Sequence, residues 1–273
     1  MSIKTSKKIL QGYSLLIGEG RLQWNIFKRF FNFSQKNTLR STENGFFLDL
    51  GGGEGIWSLR IRPLVKVMVV MDLDKNAIRE LQKEVNAKQM KNVFLIVGDI
   101  NHIPLKNRRC SKILCREVIE HIQNVEVAFR EMNRVLTDRG ILVISTPNAS
   151  YIRQYSFPLT KFIRSLIPEI YLRRTSFFGD LAKYGYDEWK KIVGHVRDGF
   201  TVSELEKLSD SSGFELEELT FIHKGICIYF AEMGGVLPFL RALFLPMIFV
   251  LEHIYEGEGL NITVKLKKKQ ESL

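Results

Sequence analysis

Cysteine is scarce in this chain of 273 residues, and neither an internal repeat nor a low-complexity segment occurs in it. The three cysteines, Cys110, Cys115 and Cys227, are odd in number and lack the close spacing of zinc ligands. These absences exclude a disulfide framework and a repeat architecture. We therefore expect the cysteines to be reduced, small buried groups in a cytoplasmic protein.

A secretion signal is also lacking. Lysines precede Ile9 and Leu10, but Gln11 and Gly12 interrupt the apolar stretch, and no cleavage site of small residues follows. We expect no signal peptide, in agreement with a cytoplasmic location.

Acidic residues are fewer than basic ones, since 30 Asp and Glu stand against 40 Lys and Arg, for a formal net charge of +10. Solvated surface charge alone explains this excess as well as a negatively charged partner does. The candidate partners are an anionic membrane surface, a phosphate-bearing substrate and RNA. Many basic residues lie outside the segment 45–148: Lys4, Lys7, Lys8, Arg21, Lys28, Arg29, Arg153, Lys161, Arg164, Arg173, Arg174, Lys265, Lys267, Lys268 and Lys269.

The segment 46–55 combines an apolar run with glycine. Its first half predicts a buried parallel strand, and four glycines among the next five residues predict a tight turn into a helix from about Ile56. Glycine lets the main chain take positive φ and lets a ligand approach it closely. We expect the N–H groups at the helix start to face that ligand.

A second apolar run, 67–71, stops at Asp72. A carboxylate at this point can accept hydrogen bonds from both hydroxyls of a ribose, so the sequence predicts a site for an adenosine-containing cofactor. The dehydrogenase fingerprint needs a glycine where this chain has Ile56, and no Lys-Ser or Lys-Thr pair follows the glycines as in a P-loop. Neither pattern therefore fits.

Further motifs follow in order as far as about Asn148. They are VFLIVGDI at 93–100, IPL at 103–105, ILCREVIEH at 113–121, EMNRVL at 131–136 and RGILVISTPN at 139–148. With this series, the chain resembles the class I S-adenosylmethionine-dependent methyltransferases, in particular their methyltransferase type 11 (UbiE/UbiG-like) branch. The resemblance begins near Phe46 and implies S-adenosyl-L-methionine as the cofactor.

The resemblance also implies cofactor-binding residues. Asp49, Gly51, Gly53 and Gly55 would face the methionine end of the cofactor. Arg116 would lie beside the cofactor and the substrate entrance.

The adenosine end would be held by a second group of residues. Asp72 would accept from the ribose hydroxyls, and Leu73 would lie against the adenine. Asp99 would accept from the adenine amino group, and Ile100 would pack on the ring. The chain departs from the family at Cys110-Ser111, where relatives usually carry Phe-Asp.

The implied fold is an α/β, Rossmann-like fold with a seven-stranded, mostly parallel sheet and helices on both of its faces. Alternating predicted strands and helices favour the same arrangement. Four parts are predicted: an N-terminal helical segment or lid at 1–44, a cofactor-binding core at 45–148, a cap for the substrate at 149–199 and the end of the core sheet at 200–273. The strands are predicted near 46–50, 67–72, 93–98, 111–116, 140–146, 215–224 and 260–267, and the main helices near 55–64, 75–89, 124–137 and 202–212.

An aromatic stripe marks the first part, formed by Trp24, Phe27, Phe30 and Phe31 together with Ile26. A stripe at helical spacing is typical of core packing, and a lid over the cofactor is the alternative.

The segment 236–255 is an apolar run long enough to span a membrane. Pro238, Arg241, Pro246 and Glu252 interrupt it, which disfavours a span. We expect either packing on the core or an amphipathic element that contacts a membrane surface or a lipid-like substrate.

Methyl transfer to a hydroxyl group needs a base. His121 and His195 are the candidates, because neutral imidazole accepts a proton near physiological pH. A structural role for His121 and hydrogen bonding to the substrate for His195 are the alternatives. Glu117, Glu120 and His121 form the motif E-x-x-E-H, which is associated with a divalent metal ion in relatives that resemble ubiquinone-pathway enzymes. Glu117 and His121 would share a helical face, but no further ligand cluster accompanies them, so we expect no metal.

The predicted function is O-methylation of a glycan, an isoprenoid or a lipid-linked small molecule, near the cytoplasmic membrane face. The alternatives are an RNA methyltransferase, suggested by charge alone, and a non-catalytic cofactor-binding or adaptor protein. Nucleic acid is not the expected partner, because the chain has no Asn/Asp-Pro-Pro-Tyr signature. The sequence predicts no oligomeric state.

Overall fold

The computed structural model describes residues 19–31, 46–150, 186–224 and 257–270. Seven strands and six helices lie in these segments. The strands are β1 (Phe46–Leu50), β2 (Met68–Asp72), β3 (Val93–Val97), β4 (Cys110–Arg116), β5 (Leu136–Pro147), β6 (Phe214–Lys224) and β7 (Gly259–Lys268). The helices are α1 (Glu19–Phe30), α2 (Ile56–Ile61), α3 (Lys75–Ala87), α4 (Val125–Val135), α5 (Tyr186–Val193) and α6 (Val202–Ser211), with 3-10 turns at Arg62–Leu64 and Ile119–His121.

The strands form one sheet in the order β3-β2-β1-β4-β5-β7-β6. The first five run parallel, and Leu48 of β1 lies between Val69 of β2 and Ile113 of β4. On the other side of β5, the Lys268 ammonium at the end of β7 donates to the Leu136 carbonyl at the start of β5. The end of β7 therefore lies beside the start of β5, and the two strands run antiparallel. The sheet is therefore seven-stranded and mostly parallel, which confirms the predicted Rossmann-like fold.

The strand order changes direction between β1 and β4. From β1 the chain moves outward through β2 to β3, and it then returns to the other side of β1 as β4. In open α/β sheets, ligands bind in the crevice outside the carboxyl ends of the strands at such a point. The glycine turn after β1 begins at this end of the sheet.

The start of β5 differs from the prediction. The sequence predicted a helix to residue 137 and a strand from 140, whereas α4 ends at Val135 and β5 begins at Leu136. Cys110 pairs with Leu136, and the register then shifts so that Lys112 pairs with Ile141. This pairing joins residues far apart in sequence and overrides the local helical pattern.

The aromatic stripe of α1 packs into the core. Phe27 and Phe31 are fully buried. The Phe27 ring meets Trp57 of α2 at 5.0 Å between centroids, and the Phe31 ring meets Phe47 of β1 at the same distance. Both pairs are edge-to-face, which aromatic rings prefer. Core packing is thus the role of these two residues.

The chain divides by its contacts into two units. The larger unit comprises residues 26–146, 202–220 and 263–273 and contains most of the sheet. The smaller unit comprises residues 1–25, 147–201 and 221–262.

Asn148 organises the described part of the smaller unit. Its side chain is fully buried, and its amide group donates to the Glu258 carboxylate and to the Gly259 carbonyl, both at 3.0 Å. The Ala149 N–H donates to the Phe200 carbonyl at 3.1 Å. One amide side chain therefore joins segments more than a hundred residues apart in the sequence.

Several predicted features lie outside the described residues: the apolar segment 236–255, most of the predicted cap at 151–185, residues 1–18 and Cys227. Cys110 and Cys115 are free and buried, in agreement with the prediction. Within the described part of the chain, no helix combines the length and the hydropathy needed to cross a bilayer.

Replacing Phe31 with Ala should lower the free energy of unfolding by about 3–5 kcal/mol, because it removes a fully buried ring from the core. Chemical denaturation of the full chain measures this change. The control is Arg29→Ala on the same helix, which removes a largely exposed partner of Glu218 and should change stability by no more than about 0.5 kcal/mol. Equal effects of the two substitutions would contradict the packing of α1.

Candidate functional site

The turn after β1 has the conformation that its glycines predict. Gly51, Gly53 and Gly55 have φ of +69°, +53° and +79°. The Gly51 N–H donates to the Met71 carbonyl of β2 at 2.8 Å. The turn therefore closes against the end of the neighbouring strand, and α2 begins immediately after it.

Asp72 is fixed by the main chain on both of its carboxylate oxygens. The Gly53 N–H donates to Oδ2 at 2.7 Å, and the Asp74 N–H donates to Oδ1 at 2.8 Å. Each carboxylate oxygen offers two lone pairs, so each retains one further position for accepting a hydrogen bond. Two adjacent acceptors at a strand end match the two hydroxyls of a ribose.

The space beside Gly53 is open, unlike the space beside its neighbours. A methyl group on Gly51 would collide with Val118, and one on Gly55 would lie 2.5 Å from Leu81. A methyl group on Gly53 would meet only the Asp72 carboxylate, at 3.9 Å. Packing explains the outer two glycines, whereas the open cradle at Gly53 fits an adenosine-containing ligand that approaches the main chain.

The residues predicted to hold adenine lie at the ends of β2 and β3. Leu73, the neighbour of Asp72, is 74% exposed and offers a large apolar side chain to a ligand. Asp99 accepts from the main-chain N–H and from the side-chain amide of Asn101, at 2.9 and 3.1 Å. Ile100 is buried beside it. Their contacts with adenine stay a prediction.

The connection between β3 and β4 is held by Arg134 of α4, which the sequence analysis did not single out. The Arg134 guanidinium donates to the Ile103 and Leu105 carbonyls and to the Asn107 side chain, each at 2.8 Å. It also donates to both carboxylate oxygens of Glu131, which in turn accepts from the Ile103 N–H at 2.9 Å. All five guanidinium donors are engaged, and the loop that begins with Asp99 is tied to a core helix.

Asp49 is a buried acid on β1. Burial raises its pKa from 3.8 to about 6, although the hydroxyl of Ser58, which donates to its Oδ2, and the positive charge of Arg116 both lower it. Because the folded-state pKa is raised, the contribution of Asp49 to folding stability is full below pH 3.8 and is lost as the pH rises through about 6. A cationic ligand beside Asp49 would favour the ionised carboxylate.

Arg116, at the end of β4, is positioned by an aromatic ring. Its guanidinium lies 5.6 Å from the centroid of Trp57 on α2. Trp57 and Ser58 were missed by the sequence analysis, although both follow directly from the predicted turn. No local pattern in the sequence showed that Ser58 faces the buried Asp49.

The acidic motif after β4 does not form the helical face that the sequence predicted. Glu117 precedes the 3-10 turn Ile119–His121 and has φ of +53°, a left-handed conformation that is rare outside glycine. Because these residues are not in an α-helix, the four-residue spacing from Glu117 to His121 does not place the two side chains on one helical face. The metal alternative loses this geometric support and stays a prediction.

Hydrogen bonds from β5 hold this motif instead. The Ser145 hydroxyl donates to the Glu117 carboxylate at 2.8 Å, and the Thr146 hydroxyl donates to Glu120 Oε2 at 3.1 Å. Burial raises the pKa of Glu120 well above its ordinary value, and the charge of Glu117 adds to this effect. Oε1 of Glu120 is buried without a hydrogen-bond partner among the described residues. A buried carboxyl group with a raised pKa thus lies next to a second acid.

The two predicted bases belong to different units. His121 is exposed in the larger unit and ends the 3-10 turn. His195 follows α5 in the smaller unit, where its main-chain N–H donates to the Lys190 carbonyl at 3.0 Å. Both histidines stay candidates.

Comparison with known proteins agrees with this geometry. A family model described as a methyltransferase domain matches residues 25–219, more than half of the chain. The demethylmenaquinone methyltransferase of Geobacillus sp. (strain WCH70) is 24% identical over 183 residues, which cover 64% of this chain and 74% of that protein.

Solved structures share the fold. A SAM-dependent methyltransferase from Aquifex aeolicus has a TM-score of 0.55 at 13% identity, covering 98% of this chain and 99% of its own. The geranyl diphosphate C-methyltransferase from Streptomyces coelicolor A3(2), solved with S-adenosyl-L-homocysteine, has a TM-score of 0.58 at 9% identity, covering 91% and 77% of the two chains.

Replacing Asp72 with Asn should weaken binding of S-adenosylhomocysteine by about 10–100-fold. The amide would turn its NH₂ group towards one of the two main-chain N–H donors, and a hydrogen bond to a charged group contributes about 1.5–3 kcal/mol. Isothermal titration calorimetry measures the affinity. The control is Asp74→Asn, because Asn also caps α3 through the Asn76 N–H, and this variant should bind normally. Unchanged affinity in Asp72→Asn would refute the ribose assignment.

The affinity for S-adenosylhomocysteine should rise about tenfold between pH 5 and pH 7, because the ligand's ammonium group favours ionised Asp49, whose pKa is about 6. In Asp49→Asn the rise should disappear, since the amide does not titrate over this range. Titrations at constant ionic strength test both statements. A rise that persists in the variant would show that another group is responsible.

Proposed function

This chain belongs to the class I S-adenosylmethionine-dependent methyltransferases, and we propose that it methylates an oxygen atom of a glycan, an isoprenoid or a lipid-linked small molecule. It is a transferase, and its cofactor is S-adenosyl-L-methionine. The observation that carries the proposed binding mode is the open cradle formed by Gly53 and the doubly held Asp72 carboxylate. The identity of the acceptor is our proposal.

The proposed binding mode uses both ends of the cofactor. Asp72 accepts from the ribose hydroxyls, while Leu73 and Ile100 enclose the adenine and Asp99 accepts from its amino group. Asp49 attracts the ammonium group of the methionine part. These groups lie on neighbouring strand ends of a rigid sheet, so they orient the cofactor without a large rearrangement.

When bound, the cofactor supplies an electrophilic methyl group on a sulfonium. The residues of this chain need to align the acceptor oxygen with it, exclude water and remove the hydroxyl proton. Alignment contributes roughly 7–11 kcal/mol in well-organised systems. A positioned base adds about 10²–10⁴-fold in rate.

The acids after β4 support an acceptor that carries a hydroxyl group. Glu117 holds a left-handed backbone conformation, and such strain costs about 1–3 kcal/mol and is concentrated at functional sites. Burial raises the pKa of Glu120, which favours the protonated form, and a protonated carboxyl group can donate a hydrogen bond. Two neighbouring carboxyl groups are suited to bind and orient a hydroxyl group.

The relatives support the acceptor class. The Geobacillus protein is named for demethylmenaquinone, an isoprenoid quinone, and its similarity extends over 64% of this chain. This relative supports the isoprenoid class, whereas the choice of oxygen as the methylated atom rests on the acids after β4. The net charge of +10 is compatible with an acceptor at an anionic membrane surface. We propose a peripheral position on the cytoplasmic membrane face for the same reason.

Purified full-length protein with methyl-labelled S-adenosylmethionine should label a lipid or glycolipid fraction. The product should carry an O-methyl group by mass spectrometry and NMR. Label that is removed by ribonuclease would overturn the proposed acceptor class. An absence of label in every fraction, with normal binding of S-adenosylhomocysteine, would favour the non-catalytic alternative.

In the same assay, replacing the histidine that acts as the base should lower kcat by about 10²–10⁴-fold and leave the affinity for S-adenosylhomocysteine unchanged. His121→Gln and His195→Gln test the two candidates, with His102→Gln as the control, because His102 is an exposed histidine. If all three variants keep the full rate, neither histidine is the base.

A further inference from the structure

A second cavity lies in the larger unit, away from the glycine turn. Its volume is about 340 Å³, the size of a small ligand pocket. It is formed where α4 and α6 end, β5 and β6 begin and β7 ends. The nine residues that line it are Arg130, Asn133, Arg134, Ser211, Ser212, Gly213, Lys268, Lys269 and Gln270.

The charge of this lining is of one sign. Four of the nine residues are Arg or Lys, and none is Asp or Glu. Two of the cations form ion pairs with acids outside the lining: Arg134 with Glu131, and Lys269 with Asp210. A concave surface lined by one sign of charge raises the local concentration of the opposite ion.

The ends of two helices would normally repel an anion here, since the C-terminal carbonyls of a helix carry partial negative charge. In this cavity the nearby carbonyls already accept hydrogen bonds. The Asn133 amide donates to the Ser212 and Gly213 carbonyls at 2.9 and 3.0 Å. The Lys268 ammonium donates to the Asn133 and Leu136 carbonyls at 2.9 and 3.2 Å.

These bonds have two consequences. They engage the carbonyls of Asn133, Leu136, Ser212 and Gly213 as hydrogen-bond acceptors. They also fix the turn at Gly213, whose carbonyl accepts from the Lys269 N–H at 2.9 Å as well. The carbonyls that bind Lys268 are uncharged, so these bonds do not neutralise its charge. The frame presents positive charge together with the hydroxyl group of Ser212, because the Ser211 hydroxyl donates to the Leu208 carbonyl at 3.1 Å.

We propose that this cavity binds a phosphate group. A phosphate monoester carries about two negative charges and three acceptor oxygens. Charge-assisted hydrogen bonds from Arg130 and Lys269, with the Ser212 hydroxyl beside them, are the contacts that such a group needs. The phosphate is either that of a soluble phosphorylated compound or the headgroup of phosphatidic acid.

The position of the cavity separates it from methyl transfer. Leu136 pairs with Cys110 at the start of β4, whereas Arg116 lies at the other end of that strand. Six residues of strand span roughly 20 Å. A phosphate bound here therefore anchors a molecule or a membrane surface and does not accept the methyl group.

The test compares Arg130→Gln/Lys269→Gln with a matched double variant, Lys83→Gln/Lys88→Gln. The control also removes two positive charges, from exposed lysines in α3 and at its C-cap that are ion-paired with acids. Inorganic phosphate is titrated against chloride at equal ionic strength. Vesicles of phosphatidylcholine, with and without phosphatidic acid, test the lipid source by sedimentation. S-adenosylhomocysteine affinity is measured for every protein and should stay unchanged.

We expect phosphate or phosphatidic acid to bind the wild type and the control, and the pocket variant to lose at least about tenfold in affinity. Binding of inorganic phosphate alone identifies a soluble ligand, and sedimentation with phosphatidic acid identifies the lipid. Equal losses in both double variants would show that diffuse surface charge is responsible and would overturn the proposal. No binding of either probe to the wild type would overturn it as well.

Discussion

The hydrogen bond from the Gly53 main chain to the Asp72 carboxylate is the interaction on which the cofactor site depends. It joins the turn after β1 to the end of β2, and its two residues are nineteen positions apart in the sequence. Together with the hydrogen bond from the Asp74 N–H, it fixes the orientation of the Asp72 carboxylate, and each carboxylate oxygen can still accept one further hydrogen bond. A site built in this way needs little reorganisation when its ligand arrives.

The carboxyl edge of the sheet also contains two buried acids, Asp49 and Glu120. Burial is the largest cause of the raised pKa of both, so each is more easily protonated than an exposed acid. Hydrogen bonds and the charge of Arg116 lower the pKa of both acids, whereas the charge of Asp72 raises that of Asp49 and the charge of Glu117 raises that of Glu120. One edge therefore holds two buried acids whose pKa values burial raises.

The sequence was sufficient where the signal was local. An apolar run bounded by glycines specifies β1, its turn and the residues that meet a ligand there. It was insufficient where distant residues decide, as in the early start of β5, which Cys110 determines, and the conformation of Glu117, which Ser145 holds from 28 residues away. Ser58 is a third example, because a serine in a short helix has no pattern that reveals a buried acid behind it.

The clamp formed by Arg134 limits how this protein can evolve. Three donors of one guanidinium fasten the segment 103–107 and the other two bond Glu131, so the loop that begins with Asp99 has its far end fixed by a residue of α4. Lysine has three donors on a single nitrogen and cannot reproduce that fork. Position 134 should therefore tolerate substitution poorly in a random library, whereas the exposed side chain of Lys106 between its anchor points is free to vary.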